Sequence, residues 1–198
     1  MEAPITSPSS ERKARRRRSA IDRLRRLPAV FTTPLACRVL EMSPKMLSVY
    51  LSRDAARGLV RRAGPRSRVW YNLLVDPDGP ETRRGEAAAL AYPGVLLYGV
   101  SVLHAAGWIS QIPKALHVAV PSGRRSWPRL DGVEVHPRPR RWFQALAGAG
   151  KLLRPPPFPA HGLPAAMAPE AAWRDMVARG ETCGLDEDDL GIGSASAI

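Results

Sequence analysis

The sequence predicts an α+β protein in two parts, and two observations support this division. All of the excess positive charge lies before residue 76, and a short segment rich in Asp, Pro and Gly follows it at residues 76–80. Before that segment, helical patterns are followed by one pair of strand patterns; after it, helix and strand patterns alternate. We therefore predict a first domain at residues 19–75, a linker, and a small mixed α/β domain at residues 84–180.

The charge distribution indicates a polyanionic partner for the first domain. The 198 residues carry a formal net charge of +12. Residues 1–75 contain 17 basic and 5 acidic residues, whereas residues 76–198 contain 13 of each. A concentrated positive field favours phosphate binding, because the protein then releases counterions condensed on the nucleic acid. Binding to a membrane surface is disfavoured, since no strongly apolar face accompanies the charge.

The cysteine content and hydropathy favour a cytoplasmic protein. Cys37 and Cys183 are far apart in sequence, and two cysteines are too few for a disulfide framework or a cysteine-based zinc site. No apolar run approaches the roughly 18 residues that span a bilayer. The basic N-terminal segment lacks the apolar stretch of a secretory signal. We expect no association with membranes.

Both ends of the chain are predicted to be flexible. Residues 1–18 form a disordered basic arm that can follow phosphates or enter a minor groove. Its candidate contacts are Arg15, Arg16, Arg17 and Arg18. Residues 181–198 form an acidic, flexible tail.

Three helix starts can be identified in the first domain. Ser19 is predicted to cap a helix that ends before Pro28 and buries Ile21, Leu24 and Leu27. Thr33 is predicted to cap a short helix at about 34–40, because a proline follows it at the first helical position. Ser43 repeats this signal for a third helix at about 44–57, which Gly58 closes.

The third predicted helix has two distinct faces. Leu47, Leu51 and Ala55 recur at spacing four and predict a core-facing stripe, with Met46 and Tyr50 beside it. The opposite face is short-chained and lightly polar, so it can enter a groove without steric conflict. That face carries Lys45, Ser48, Val49, Ser52 and Ala56.

A basic hairpin is predicted directly after this helix. Residues 59–63 and 68–73 have strand patterns, and residues 64–67 form the turn between them. Two helices joined by a tight turn and followed by a hairpin are typical of a winged helix-turn-helix, which places its second helix in the major groove of DNA. Trp70 and Tyr71 are interpreted as hairpin core rather than as platforms for RNA bases.

The predicted contacts to double-stranded DNA fall into two classes. The residues predicted to face base edges are Lys45, Ser48 and Ser52. The residues predicted to bind phosphates are Arg53, Arg57, Arg61, Arg62, Arg66 and Arg68.

The second domain alternates between helices and strands. Its predicted helices lie at residues 84–91, from Ser101 to Gly107, and from Pro169 to about Arg179, the last with Ala172, Met176 and Val177 on its apolar side. Its predicted strands lie at residues 95–98, 115–120 and 133–136.

We expect no enzyme activity, metal or cofactor. The four histidines show no paired spacing on one helix, and His117 and His136 are interpreted as strand residues. Asp131 and Glu134 leave a metal-dependent nuclease open, although two groups three apart on one strand point to opposite faces. Cleavage that is lost in Asp131→Ala and Glu134→Ala variants would identify such an enzyme.

Several segments resemble the AbiEi family, antitoxins and transcriptional regulators of bacterial type IV toxin–antitoxin systems. In the first domain the resemblance lies in residues 31–33, 43–51 and 57–62, with Asp54 where an apolar residue is expected. In the second it lies in residues 98–108, 112–113, 116–121 and 167–176, with Trp173 in place of the usual leucine. It covers roughly residues 20–180.

The resemblance implies a repressor that binds inverted repeats in its own operator. It also implies that the protein counteracts a nucleotidyltransferase toxin encoded beside it, without direct contact between the two proteins. A regulator whose second domain binds a small ligand or mediates assembly remains the alternative, and the absence of a neighbouring nucleotidyltransferase gene would favour it.

Overall fold

A computed structural model describes residues 20–123, 126–153 and 165–191. Within these ranges the protein is mixed α/β, with two sheets and eight helices, counting the helical residues 20–24. The described residues form two compact units. Unit 1 comprises residues 20–62 and 68–80, and unit 2 comprises residues 63–67 and those from 81 onward.

Unit 1 joins three helices to a three-stranded antiparallel sheet of order β1-β3-β2. In chain order its elements are α1 (residues 20–24), β1 (Val30–Thr32), α2 (Thr33–Leu40), α3 (Pro44–Ala55), β2 (Val60–Arg62) and β3 (Val69–Asn72). The short helix α4 (Gly79–Thr82) runs from unit 1 into unit 2 and includes part of the predicted linker.

The N-cap residue of α3 is the one predicted from the sequence, whereas that of α2 is not. Ser43 caps α3 as predicted, with its hydroxyl accepting a hydrogen bond from the amide of Met46. The cap of α2 is Thr32 rather than Thr33. The Thr33 hydroxyl is engaged elsewhere, because it donates to the carbonyl of Arg68 and accepts from the Trp70 indole. The predicted cap Ser19 lies outside the described residues.

Strand β1 was not predicted, and it completes the sheet. It is only three residues long, so it has no readable alternation, yet Val30, Phe31 and Thr32 pair with β3. Asn72 at the end of β3 is fully buried, and its side-chain amide donates to the carbonyls of Leu24 and Leu27. These two bonds tie the end of α1 and the turn after it to the sheet.

The core of unit 1 lies between the helices and one face of this sheet. Leu24 and Leu27 are buried as predicted, and Ile21 is half-buried. The buried cluster consists of Leu24, Leu27, Phe31, Ala36, Leu40, Leu47, Leu51, Val60 and Trp70. Cys37 is half-buried and packs against this cluster.

Unit 2 is built on a five-stranded mixed sheet of order β6-β5-β4-β8-β7. Its strands are β4 (Leu96–Leu97), β5 (Leu116–Pro121), β6 (Val133–Arg138), β7 (Leu152–Leu153) and β8 (Ala166–Met167). Its remaining helices are α5 (Arg84–Ala91), α6 (Val100–Ala105), α7 (Arg140–Gly148) and α8 (Pro169–Arg179). The predicted strands at residues 115–120 and 133–136 are present as β5 and β6, which pair in parallel.

Several details of unit 2 differ from the sequence predictions. Helix α6 begins at Val100, one residue before the predicted start at Ser101, and the buried Ser101 hydroxyl accepts a hydrogen bond from the amide of His117. Val177 is 51% exposed, whereas Ala172 and Met176 are buried as expected. The short strands β7 and β8 and the helix α7 were not predicted.

The hairpin tip and the start of the acidic tail both belong to the packed part of unit 2. The carbonyl of Ala63 accepts a hydrogen bond from the amide of Asp131, and a Cβ at Gly64 would collide with the carbonyl of Arg129. The structure differs from the expected flexible tail over residues 181–191, because Leu190 is buried and the amide of Gly191 donates to the carbonyl of Trp108.

The described helices also bear on membrane association. Over residues 20–123, 126–153 and 165–191, no helix combines the length and the apolar character that crossing a bilayer requires.

Candidate functional site

Helix α3 is held against the core of unit 1 by two leucines one turn apart. Leu47 and Leu51 are both 0% exposed, and they lie on the same side of the helix because residues four apart are neighbours. Pro44 occupies the first turn, where its missing amide costs no hydrogen bond. Gly58, with φ +70, then reverses the chain into β2. Both ends and one face of α3 are thus fixed.

The opposite face of α3 is open to solvent, as the sequence predicts. Its exposed residues are Lys45, Ser48, Val49, Ser52 and Ala56. The prediction that Met46 lies beside the core is wrong, because its side chain is 63% exposed. Met46 lies about 100° around the helix from Leu47, and the buried stripe continues through Asp54 instead. The exposed face therefore includes two apolar side chains, Met46 and Val49.

The predicted phosphate-binding arginines are all exposed, but they are not equivalent. Arg53 lies in the last turn of α3, and Arg61 and Arg62 follow on β2. The guanidinium of Arg62 lies 4.6 Å from the centre of the Trp70 ring, a stacking contact that orients it. Arg68 directly precedes β3 in unit 1.

Two further arginines have constraints that the sequence did not reveal. The Arg57 guanidinium pairs with the Asp54 carboxylate at 3.2 Å, so part of its charge is already neutralised. Arg66 has φ +58 and belongs to the hairpin tip, which groups with unit 2 rather than with the rest of the hairpin. The arm residues Arg15, Arg16, Arg17 and Arg18 lie outside the described residues.

Asp54 occupies an apolar position in the core of unit 1. It is 0% exposed, and burial raises the pKa of its carboxyl group although Arg57 opposes the shift. Tyr50 lies beside it and donates to the carbonyl of Ala20. Burial and the neighbouring Asp54 raise the pKa of Tyr50 to about 12. A carboxylate buried near the negative end of a helix is costly, so Asp54 lowers the stability of unit 1 at neutral pH.

Replacing Asp54 with asparagine is expected to stabilise unit 1 by about 1 kcal/mol at pH 7. The change removes the buried charge, and it leaves Arg57, whose side chain is 45% exposed, free to be hydrated. Because the folded-state pKa of Asp54 is raised above its ordinary value of 3.8, the difference from wild type should shrink as the pH falls towards that value. Urea unfolding followed by the indole NMR signal of Trp70 measures it. Destabilisation at pH 7 would contradict this account of Asp54.

Unit 2 contains a buried charge network centred on Arg138. The Arg138 guanidinium pairs with Glu181 and with Asp175, and it donates to the Tyr98 hydroxyl at 2.7 Å. Burial alone raises the pKa of Asp175, but hydrogen bonds from Trp142, Arg179 and Tyr98 bring it below its ordinary value. The network links β6, α8 and the residues after α8.

Next to this network the structure brings together two histidines that the sequence interpretation kept apart. His117 Nδ1 lies 3.0 Å from His136 Nε2, and the two rings are stacked. Glu134 lies beside both, 3.5 Å from His117 Nε2 and 3.8 Å from His136 Nε2. Burial lowers the pKa of both histidines, so the contacts with Glu134 join neutral rings to a carboxylate.

The strand pattern contained the signal for this group. Glu134 and His136 are two residues apart on β6 and therefore share a face, and β5 pairs in parallel beside them. A search for paired spacing on one helix could not find it. Asp131, considered with Glu134 as a possible metal ligand, precedes β6 and lies outside the group.

Comparison with known proteins assigns no family to this chain. It matches no protein-family model and no curated protein.

Proposed function

We propose that this protein is a DNA-binding transcriptional regulator in which unit 1 is a winged helix and α3 is the recognition helix. One observation carries the proposal. The face of α3 that points away from the core is exposed along its whole length and lined by short or flexible side chains. An exposed helix face of this kind, flanked by arginines, suits insertion into a major groove.

The chemistry of this face matches base edges. Lys45 can donate to the acceptors of guanine, and Ser48 and Ser52 can pair with either base class. Met46 and Val49, which are 63% and 57% exposed, can contact the methyl group of thymine. Contact with DNA would remove these two apolar side chains from water, which explains why they are exposed in the free protein.

The charges around α3 supply the phosphate contacts. Residues 20–75 contain 11 basic and 3 acidic residues, and one of the acids, Asp54, is paired with Arg57. Arg53 on α3, Arg61 and Arg62 on β2, and Arg68 directly before β3 are all exposed in unit 1. Phosphate contacts of this kind fix the register of the protein on the duplex, while base contacts select the sequence.

The resemblance to the AbiEi family suggests which genes the proposed regulator controls and in which system it acts. On this reading the protein represses its own operon by binding inverted repeats, and it acts in the cytoplasm as the antitoxin of a type IV toxin–antitoxin system. Its functional partner is then a nucleotidyltransferase toxin encoded next to it, and no direct contact between them is required. A neighbouring gene of that class would support the antitoxin role separately from DNA binding.

A footprint on the DNA upstream of the protein's own coding sequence tests the proposal. We expect protection of two half-sites about one helical turn, or a multiple of it, apart, in the presence of excess competitor DNA. A Lys45→Ala/Ser48→Ala variant should lose the protection, because both side chains are exposed and their removal leaves the core intact. Uniform coverage of the DNA, identical in wild type and variant, would contradict sequence-specific recognition by α3.

A further inference from the structure

We infer that His117, Glu134 and His136 form a binding site for a divalent transition metal, with zinc as the preferred ion. This site lies in unit 2 and is independent of the proposed DNA interface. The three side chains offer ligand atoms that all lie within 4.8 Å of one another. Such a set of two imidazoles and one carboxylate is a common three-residue zinc site.

The ring of His136 is oriented so that one nitrogen is available to a metal. Its Nδ1 lies 3.2 Å from the Glu181 carboxylate, which requires the proton to be on Nδ1. Its Nε2 therefore carries a lone pair, and this atom faces His117 and Glu134. A carboxylate that holds the second nitrogen of a histidine is the usual support of a metal ligand, because it fixes the tautomer and increases the basicity of the ring.

Glu181 is itself held in place by the buried network. Arg138 donates to its carboxylate, and the Tyr98 hydroxyl, whose single proton is shared with Asp175, lies 3.0 Å away, so Glu181 cannot rotate away from His136 without losing the bond from Arg138. The neutralised Glu181 orients His136 while leaving Glu134 as the free negative charge that a dication needs. The support for the metal ligand is thus built into the fold before a metal binds.

The distances between the ligand atoms suit a small ion. Zinc binds nitrogen and oxygen at roughly 2.0–2.2 Å, which places neighbouring ligand atoms of a tetrahedron about 3.3 Å apart. Here His136 Nε2 lies 3.0 Å from His117 Nδ1 and 3.8 Å from a Glu134 oxygen, whereas the 3.5 Å contact of Glu134 is with the other nitrogen of His117, Nε2. One ligand atom from each residue still falls within 4.8 Å of the other two. The Glu134 side chain is 56% exposed, so it can close the remaining gap by rotating.

The ligand set selects the metal class and leaves one position open. Magnesium and calcium prefer all-oxygen sites, whereas imidazole nitrogens favour zinc and similar ions. Three protein ligands leave the fourth tetrahedral position for water or an anion. His117 is buried, His136 is half-buried and Glu134 is exposed, so solvent reaches the group at Glu134.

Zinc titration of the full-length, metal-stripped protein tests the inference, with a chromophoric chelator as competitor. We expect one zinc ion per chain and a rise in the unfolding temperature with zinc. Glu134→Gln and His136→Ala should each weaken binding at least tenfold, and Glu181→Gln should weaken it about tenfold to a hundredfold. The matched control is His104→Ala, which replaces a histidine of α6 outside the group and should bind zinc like wild type.

The zinc-binding experiments can contradict the inferred metal site even if one variant fails to fold. Glu134 is exposed, so Glu134→Gln should fold normally, and circular dichroism checks this. The inference is overturned if the wild-type protein shows no zinc binding at 100-fold molar excess, or if folded Glu134→Gln binds zinc as tightly as wild type. Intense visible absorption of the cobalt-substituted protein, as expected for four-coordinate cobalt, would support the site, and its persistence in His136→Ala would overturn it.

Discussion

Replacing Arg61 and Arg62 together with alanine is expected to weaken binding to every duplex and to flatten its salt dependence. Both side chains are exposed on β2, directly after the turn that follows α3. If each binds one phosphate, the slope of log K against log salt should fall by roughly 2, because each contact contributes about 0.9. The affinity loss should be about 2 kcal/mol, roughly thirtyfold at moderate salt.

A second pair of adjacent arginines provides the matched control. Arg140 and Arg141 are exposed on α7 of unit 2, so Arg140→Ala/Arg141→Ala removes the same charge from a different surface. Fluorescence anisotropy at several salt concentrations should show a reduced slope for the first pair only. If the slope of log K against log salt is the same for both double variants, the hairpin is not part of the DNA interface.

Replacing Arg138 with methionine is expected to destabilise unit 2 by about 3 kcal/mol at pH 7. The Arg138 side chain is only 5% exposed, and its removal leaves Asp175 and Glu181 without their central cation. Methionine keeps an apolar side chain of similar length but removes the guanidinium, which lies 4.8 Å and 5.9 Å from the centres of the Tyr98 and Trp142 rings, so the loss includes these cation–π contacts as well as the ion pairs. Urea unfolding followed by the indole NMR signal of Trp142 measures the change.

The pH dependence of the stability difference between wild type and Arg138→Met distinguishes the loss of ion pairs from the loss of packing. Because the folded-state pKa of Asp175 is below its ordinary value of 3.8, its contribution is present above that value and is lost as the pH falls below it. The difference between wild type and Arg138→Met should therefore shrink in acid. As a control, Arg140→Met, which replaces an exposed arginine, should leave the free energy of unfolding unchanged. If the difference in the free energy of unfolding between wild type and Arg138→Met stays constant down to pH 3, the effect of the substitution is due to packing.

The sequence predicted unit 1 well where local signals determine structure. Ser43 followed by proline marks the start of α3, and the spacing of Leu47 and Leu51 marks its buried side. Strand β1 escaped prediction, because three residues carry no periodicity and its pairing with β3 depends on residues about 40 positions later. Met46 was misplaced because the predicted buried stripe did not include Asp54, which takes a core position and pairs with Arg57.

The groups in unit 2 could not be predicted because they depend on long-range pairing. His117 and His136 meet only when β5 and β6 pair in parallel in one register. Glu181, placed in a flexible tail by its acidic surroundings, becomes ordered through Arg138 and Tyr98, residues 43 and 83 positions earlier in the chain. The composition of this segment shows that it is acidic, but it does not show that Arg138, a buried cation distant in sequence, binds it.

Selection of binding sites from a random duplex library is the most direct test of recognition by α3. The full-length protein should enrich one motif arranged as two related half-sites. A variant with Lys45, Ser48 and Ser52 all replaced by alanine should keep its salt-dependent affinity but lose the motif, because the phosphate-binding arginines remain. Enrichment of no sequence by the wild-type protein, or of the same motif by the variant, would contradict the role assigned to α3.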